Sequence, residues 1–195
     1  SLHDALPILV INGSYFARDG QPDTPLVSEG KRIGPESYDA HHGAFVETPT
    51  RAAIVNLATM EWEQAFRGAA NAMVSYPLLL DIRGDAPAIQ PNRWLANRSF
   101  IGEDVFGNII LGTTKDAYFS LERLSDFLKR SPLGLTIALN LDGGPLACQA
   151  VASGTVRRSF CGRWETKEEA GQLKLLKWPF GTYALPIVLA VVPKG

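Results

Sequence analysis

Apolar residues come in short bursts between turn-forming residues, and few bursts are long enough for a helix. Residues 6–11 are apolar and β-branched and stop at Asn12-Gly13, which reads as a buried strand ending in a turn. Residues 45–47 and 52–57 follow as strands, and 61–72 as a short helix. Residues 73–82 are interrupted by Pro77, so they form an edge strand or two half-strands meeting at a bend. Residues 98–102 and 108–113 read as a hairpin turning through 103–107. The best helix is 120–130. Ser120 caps it, Leu121, Leu124, Phe127 and Leu128 make one apolar face, and Lys129 and Arg130 sit in the last turn. Residues 135–141 form a buried strand leading into Asp142-Gly143-Gly144. Residues 183–192 are the final strand, with Pro186 at a bulge or edge. Residues 17–43 read as a long loop with at most short strands, and 85–96 and 162–179 as loops. Strands and helices do not alternate regularly, which argues against a doubly wound sheet. The expected fold is α+β: a single domain over 1–195, with a bent mixed or antiparallel sheet and about two helices.

Cys148 and Cys161 bracket Gly154-Thr155. If that pair is a two-residue hairpin loop, Gly at its first position suits a type II′ turn. Ser153 then faces Val156, and Cys148 faces Cys161 in a non-hydrogen-bonded pair, within disulfide reach. The alternative is two unrelated buried thiols. A bridge implies an oxidising compartment, periplasmic or extracellular.

Composition narrows the class. Lys plus Arg is 19 and Asp plus Glu 20, a net charge of -1, so a nucleic-acid partner driven by counterion release is not expected. Gly (18) and Pro (13) are too many for a helical bundle. No stretch reaches the ~18 apolar residues of a membrane span. The chain starts at Ser1 without a basic leader, so any signal peptide lies outside this sequence.

No Walker loop, G-x-S-x-G, H-E-x-x-H or CxxC pair is present. His41-His42 is the one histidine cluster, and neighbours in an extended chain point apart, so no metal site is expected there. No cofactor is expected. The sharpest feature is Asn140-Leu141-Asp142-Gly143-Gly144, where a buried strand ends at a carboxylate followed by two glycines. The glycines would let a ligand approach the backbone, and free N–H groups in such a turn suit an anion. Alternatively it is a plain Asp-Gly turn. Asn12 could bind a polar ligand or stabilise its own turn. Arg98, at the mouth of a strand, is the natural fork for phosphate or carboxylate. Asp81 ends a second apolar run.

Taken in order, Asn12-Gly13-Ser14-Tyr15-Phe16, Ser75-Tyr76-Pro77-Leu78-Leu79, Arg98-Ser99-Phe100-Ile101-Gly102, the capped helix and Ala138-Leu139-Asn140-Leu141-Asp142-Gly143-Gly144 resemble the phosphodiester glycosidase family, that of the lysosomal uncovering enzyme and its bacterial relatives. The resemblance spans about residues 6–192. The family usually continues Asp-Gly-Gly with another Gly and small hydroxyl residues, whereas Pro145-Leu146-Ala147 stands here. The lead-in before Asn12 is very short, so the resemblance implies that an N-terminal strand of the family is absent from this sequence.

The resemblance implies a hydrolase that cleaves a sugar-1-phosphodiester or related glycosidic linkage, in envelope or exopolysaccharide metabolism. Asp142 would be nucleophile, base or electrostatic stabiliser, Arg98 the phosphate clamp, and Asp81 the second carboxylate. Asn12, Gly13, Asn140, Gly143 and Gly144 would line the substrate, a carbohydrate or sugar phosphate. A carboxylate separation of about 5 Å means retention and more than ~6.5 Å inversion. The alternative is a non-catalytic glycan-binding or envelope-structural protein on the same fold.

Overall fold

The computed structural model describes residues 6–39, 42–83, 88–116, 119–177 and 183–193. After β1 (Leu9–Asn12), a first sheet is built from β2 (Leu26–Ser28), β3 (Lys31–Ile33), β4 (Gly43–Glu47), β5 (Ala52–Asn56) and β6 (Asn71–Ser75), in the order β3-β2-β6-β4-β5. The short helix α1 (Trp62–Ala65) lies between β5 and β6. At the cis Tyr76–Pro77 peptide the chain passes to a second sheet. Its strands are β7 (Leu78–Asp81), β9 (Ser99–Asp104), β10 (Ile109–Thr113) and β11 (Leu135–Asn140), ordered β10-β9-β11-β7. The helix α2 (Leu121–Arg130) packs on it. The third sheet joins the two ends of the chain: β12 (Cys148–Ser153), β13 (Val156–Cys161) and β16 (Val188–Val191) assemble with β1 as β13-β12-β1-β16. A fourth pairs β8 (Trp94–Ala96) with the hairpin of β14 (Glu165–Glu169) and β15 (Gln172–Lys177). Every strand pairing among the described residues is antiparallel. The α+β class holds, but the strands divide among four sheets instead of one bent sheet.

Strand alternation explains the layers. In β4 and β6, Phe45 and Met73 point to the middle of the molecule, where they meet Ile101, Ile137 and Leu139 of the second sheet. Ala44, Val46, Ala72 and Val74 point the other way, under Trp62 and Phe66. On the far face of the second sheet, Leu80, Phe100 and Ala138 receive Leu124 and Leu128 of α2. Helix, sheet, sheet and helix thus stack around one central core. No helix among the described residues is long and apolar enough to cross a membrane.

The α2 cap forms as expected, Ser120 Oγ accepting from the Arg123 N–H. Phe127 departs from its expected burial. It is 51% exposed and meets only the edge of the core through the Phe119 ring. The helix expected over 61–72 is a single turn, Trp62–Ala65, because Gly68 at φ +72 lets the chain turn into β6. Leu6 is exposed, so the buried part of the first strand is its end, Ile11 and Asn12. Within the loop expected over 162–179, residues 165–177 form a hairpin, and Trp94–Ala96 in the other expected loop pairs with it. The cysteine hairpin has the expected register, with Ser153 opposite Val156 and Cys148 opposite Cys161. The two cysteines are bridged, their Cα atoms 3.9 Å apart.

Candidate active site

Several strands end at one place, and there the chain buries polar residues that a core would normally exclude. Asn12, Ser14, Ser75, Asn97, Arg98, Ser99, Asn140 and Glu165 are all buried. Buried polar groups must find partners, and these bonds show what each residue does.

Asn12 spans three neighbours. Its Nδ2 donates to the Asp142 carbonyl at 2.8 Å, and its Oδ1 accepts from Ser99 Oγ (2.7 Å) and the Cys148 N–H (3.1 Å). Of the two roles open to Asn12, binding a sugar hydroxyl or orienting Asp142, these bonds supply the contact needed for the second. Gly13 serves the same joint. Its carbonyl accepts from the Asp142 N–H at 3.1 Å, and a Cβ on it would lie 2.5 Å from Ile187 Cγ2. Asn140 is fully buried and donates to the Tyr15 hydroxyl (2.6 Å) and the Tyr76 carbonyl (3.1 Å). It positions the Tyr15 and Tyr76 rings, which stack 4.2 Å apart. The His42 ring lies 4.8 Å from Tyr76, and Tyr38 follows at 6.2 Å from His42. His41 falls outside the described residues.

The Asp142-Gly143-Gly144 turn does not leave its N–H groups free. The Gly143 N–H donates to Asp142 Oδ1 at 2.7 Å and the Gly144 N–H to the Asn97 carbonyl at 2.9 Å. The glycines make room for the protein's own atoms. A Cβ on Gly143 would sit 3.0 Å from the Asn97 carbonyl oxygen and 3.4 Å from Arg98 Nη1. One on Gly144, at φ +66, would sit 2.9 Å from Glu165 Oε2. Pro145, Leu146 and Ala147, where the family usually has a Gly and small hydroxyl residues, are buried in and just after a short 3-10 turn.

Arg98 is buried, and two of its nitrogens are committed. Nε donates to the Phe119 carbonyl and Nη2 to the Trp94 carbonyl, both at 3.1 Å. Burial lowers its pKa, while the charges of Tyr15, Glu165 and Asp142 oppose that shift. Arg98 thus lies within electrostatic reach of two carboxylates, Asp142 and Glu165.

Asp81 is not one of those carboxylates. It pairs with Ile137 near the start of β11, whereas Asp142 follows the other end of that strand. Asp81 accepts from Asn56 Nδ2 (3.1 Å) and the Arg83 N–H (2.9 Å), close to the buried Glu103 that Arg51 and Arg83 approach. The carboxylate that does stand by Asp142 is Glu165. It starts β14, is 7% exposed, and packs on Gly144. It was missed because its neighbours Lys167, Glu168 and Glu169 make the segment look solvated. The one available signal was Trp164 beside it, an apolar residue heading a charged run.

The half-buried Asp142 also acts on the tyrosines. Burial raises the Tyr15 pKa most, with the Asp142 and Tyr76 charges adding to it, so the hydroxyl stays protonated. Tyr76 is raised by burial, then by Asp23 and Asp142. Tyr38 is pushed up to about 12 by burial, with Tyr76, Asp23 and Asp39 contributing. Among the described residues, no group of three or more His, Cys, Asp or Glu side chains is placed to hold a metal.

A carboxylate follows the end of a buried strand, a second packs on Gly144 of the same turn, and a buried Arg lies within electrostatic reach of both. The phosphodiester glycosidase family model matches residues 7–167, most of the chain and all three of these residues. The chain belongs to the phosphodiester glycosidase family. A solved structure of zebrafish N-acetylglucosamine-1-phosphodiester alpha-N-acetylglucosaminidase, its catalytic domain auto-inhibited by a pro-peptide, shares the fold with a TM-score of 0.64 at 18% identity. The match covers 99% of this chain and 66% of that one. No curated protein matches this chain by sequence.

Proposed function

We propose that the protein hydrolyses a sugar-1-phosphodiester or a closely related glycosidic linkage, with Asp142 and Glu165 as its carboxylate pair. The observation that carries this reading is the placement of both carboxylates within electrostatic reach of the buried Arg98, in a member of this family. A phosphate leaving group needs little protonation when the C1–O bond breaks. The protein's main tasks are then to stabilise an oxocarbenium-like centre and to activate the attacking group. Asp142, half-buried and anchored through its backbone to Asn12 and Gly13, faces the reacting carbon. Glu165 serves as its acid–base partner. The Cys148–Cys161 bridge supports action in an oxidising compartment, periplasmic or extracellular, where envelope or exopolysaccharide chains are the natural substrates.

The test is a panel of aryl glycosides, UDP-sugars and other sugar phosphodiesters, assayed with wild type, Asp142→Asn and Glu165→Gln. Each variant keeps the side-chain shape and loses the charge. Turnover should fall by roughly 10²–10⁴-fold in both, with the thermal unfolding midpoint close to wild type. Unchanged turnover in Asp142→Asn removes its assigned role. A glycan-binding module is favoured by the buried Pro145 and Leu146 and the occupied N–H groups of the turn. Glycan binding without turnover in all three proteins would establish it instead.

A further inference from the structure

If the substrate carries a phosphate, something must hold it, and the two expected donors are already partly engaged within the protein. Arg98 gives Nε and Nη2 to backbone carbonyls, and the N–H groups of Gly143 and Gly144 are bonded within the turn. Cationic donors lie on the other side of Asn97. A cleft of about 470 Å³ is lined there by Asn97, Lys115, Asp116, Ser159, Phe160 and Arg163, among others. Lys115 and Arg163 are exposed, and neither joins an ion pair among the described residues. With Asp116 on the same wall, the cleft keeps one positive charge in excess.

Asn97 ties this cleft to the catalytic turn. Its Nδ2 donates to the carbonyls of Thr114 (2.7 Å) and Lys115 (3.0 Å), and its Oδ1 accepts from the Arg163 N–H at 3.3 Å. Its own carbonyl accepts from the Gly144 N–H. One buried side chain therefore fixes both cation-bearing segments, while its backbone holds the residue that packs on Glu165. The position also explains why Gly162 is a glycine, since a Cβ there would lie 1.9 Å from the Gly144 carbonyl oxygen. The segment carrying Arg163 runs directly against the turn.

We propose that this cleft is an anion subsite, in which Lys115 Nζ and the Arg163 guanidinium hold the phosphate-bearing part of the substrate and the Ser159 hydroxyl is a further donor. This deepens the hydrolase reading and rests on it. It assigns the substrate to the glycosyl phosphodiesters and makes neutral glycosides poor ones. Two charge-assisted hydrogen bonds from flexible, solvated cations give modest affinity that weakens with salt.

The experiment uses the oxidised full chain as wild type, Asp142→Asn, the double variant Lys115→Ala/Arg163→Ala, and the charge-keeping double variant Lys115→Arg/Arg163→Lys. Glycerol phosphate is titrated by calorimetry at low and high salt, and turnover of a glycosyl phosphodiester is compared with that of an aryl glycoside. Asp142→Asn should bind glycerol phosphate as wild type does. The alanine double variant should bind it about tenfold more weakly or worse, as expected for lost charge-assisted bonds, and the charge-keeping variant should recover most of that. In the alanine variant the preference in kcat/KM for the phosphodiester over the aryl glycoside should fall by a similar factor. Equal glycerol phosphate binding by wild type and the alanine variant overturns the subsite. So does an unchanged preference in an active enzyme, which leaves the hydrolase reading standing. Binding that depends on Lys115 and Arg163 in a protein with no turnover of any substrate supports the subsite and overturns the hydrolase reading.

Discussion

Replacing Gly144 by alanine separates two costs that the structure places on one residue. The first is conformational. At φ +66 an alanine sits in the left-handed region, which costs roughly 1–2 kcal/mol for an L-residue. The second is local. The new Cβ would lie 2.9 Å from Glu165 Oε2 and 3.3 Å from its Cδ, so the Glu165 carboxyl must move from its buried position. Disturbing a buried charge-assisted contact adds about 1–3 kcal/mol. Gly30 supplies the control. Its φ is +74 and a Cβ there would meet nothing within 4 Å, so Gly30→Ala has the first cost alone. At roughly 2–4 °C per kcal/mol for a chain of this size, Gly30→Ala should lower Tm by about 2–8 °C and Gly144→Ala by clearly more. In a Glu165→Ala background the obstructing oxygen and Cδ are gone, and Gly144→Ala should shrink to the Gly30→Ala cost. Differential scanning calorimetry of the four-protein cycle measures this coupling. Turnover should fall in Gly144→Ala and stay near wild type in Gly30→Ala. Equal Tm losses at Gly30 and Gly144, or strict additivity with Glu165→Ala, would refute the assigned packing of Glu165 on Gly144.

Two further outcomes follow from the same geometry. Cys148→Ser/Cys161→Ser opens a loop with a sequence separation of 13 and should cost about 3 kcal/mol by the chain-entropy relation, measured by urea unfolding; a loss below roughly 1 kcal/mol would mean that the reduced hairpin already holds its register. The tyrosines give a pH dependence with a definite sign. Tyr15 and Tyr38 titrate higher in the fold than their ordinary 10.0, Tyr38 at about 12, so the folded state keeps protons that the unfolded chain releases, and stability present below pH 10 is lost as pH rises from about 10 to 12 and beyond. Tyr15→Phe should flatten that decline, and an unaltered slope would show that Tyr15 is not protected by burial.

The elements that could be read from the chain were those whose local pattern and tertiary role agree. The α2 helix, the hairpin of β9 and β10, and the cysteine register all carry their own turn or cap residues. The hairpin of β14 and β15 does not. Its turn is Ala170-Gly171, with Ala170 at φ 51, and alanine is not a residue that announces a left-handed turn. Its strands carry charged residues, Glu-Thr-Lys-Glu-Glu in β14 and Lys174 and Lys177 in β15, so it is their pairing with each other and with β8 that shows them to be strands. That is why Glu165 was invisible and Asp81, at the end of a clear apolar run, was taken in its place. In the turn, a Cβ on Gly143 would meet Asn97 and Arg98, and one on Gly144 would meet Glu165. Sequence shows that a Cβ is excluded, not whether a ligand, Arg98 or Glu165 excludes it.

The bonds of Asn12 join residues 12, 99, 142 and 148 through one side chain, and its strand lies between β12 and β16. This sets an order of assembly. A chain synthesised from its N-terminus can form the first sheet and α1 early, since their partners are close in sequence. The strand that carries Asn12 must wait unpaired until residues 148–153 and 188–191 emerge. Contacts of such long sequence separation form slowly. The carboxylate at Asp142 therefore gains its anchored position only near the end of folding, and the early strand, with two edges open until then, is the segment most in need of protection from mispairing.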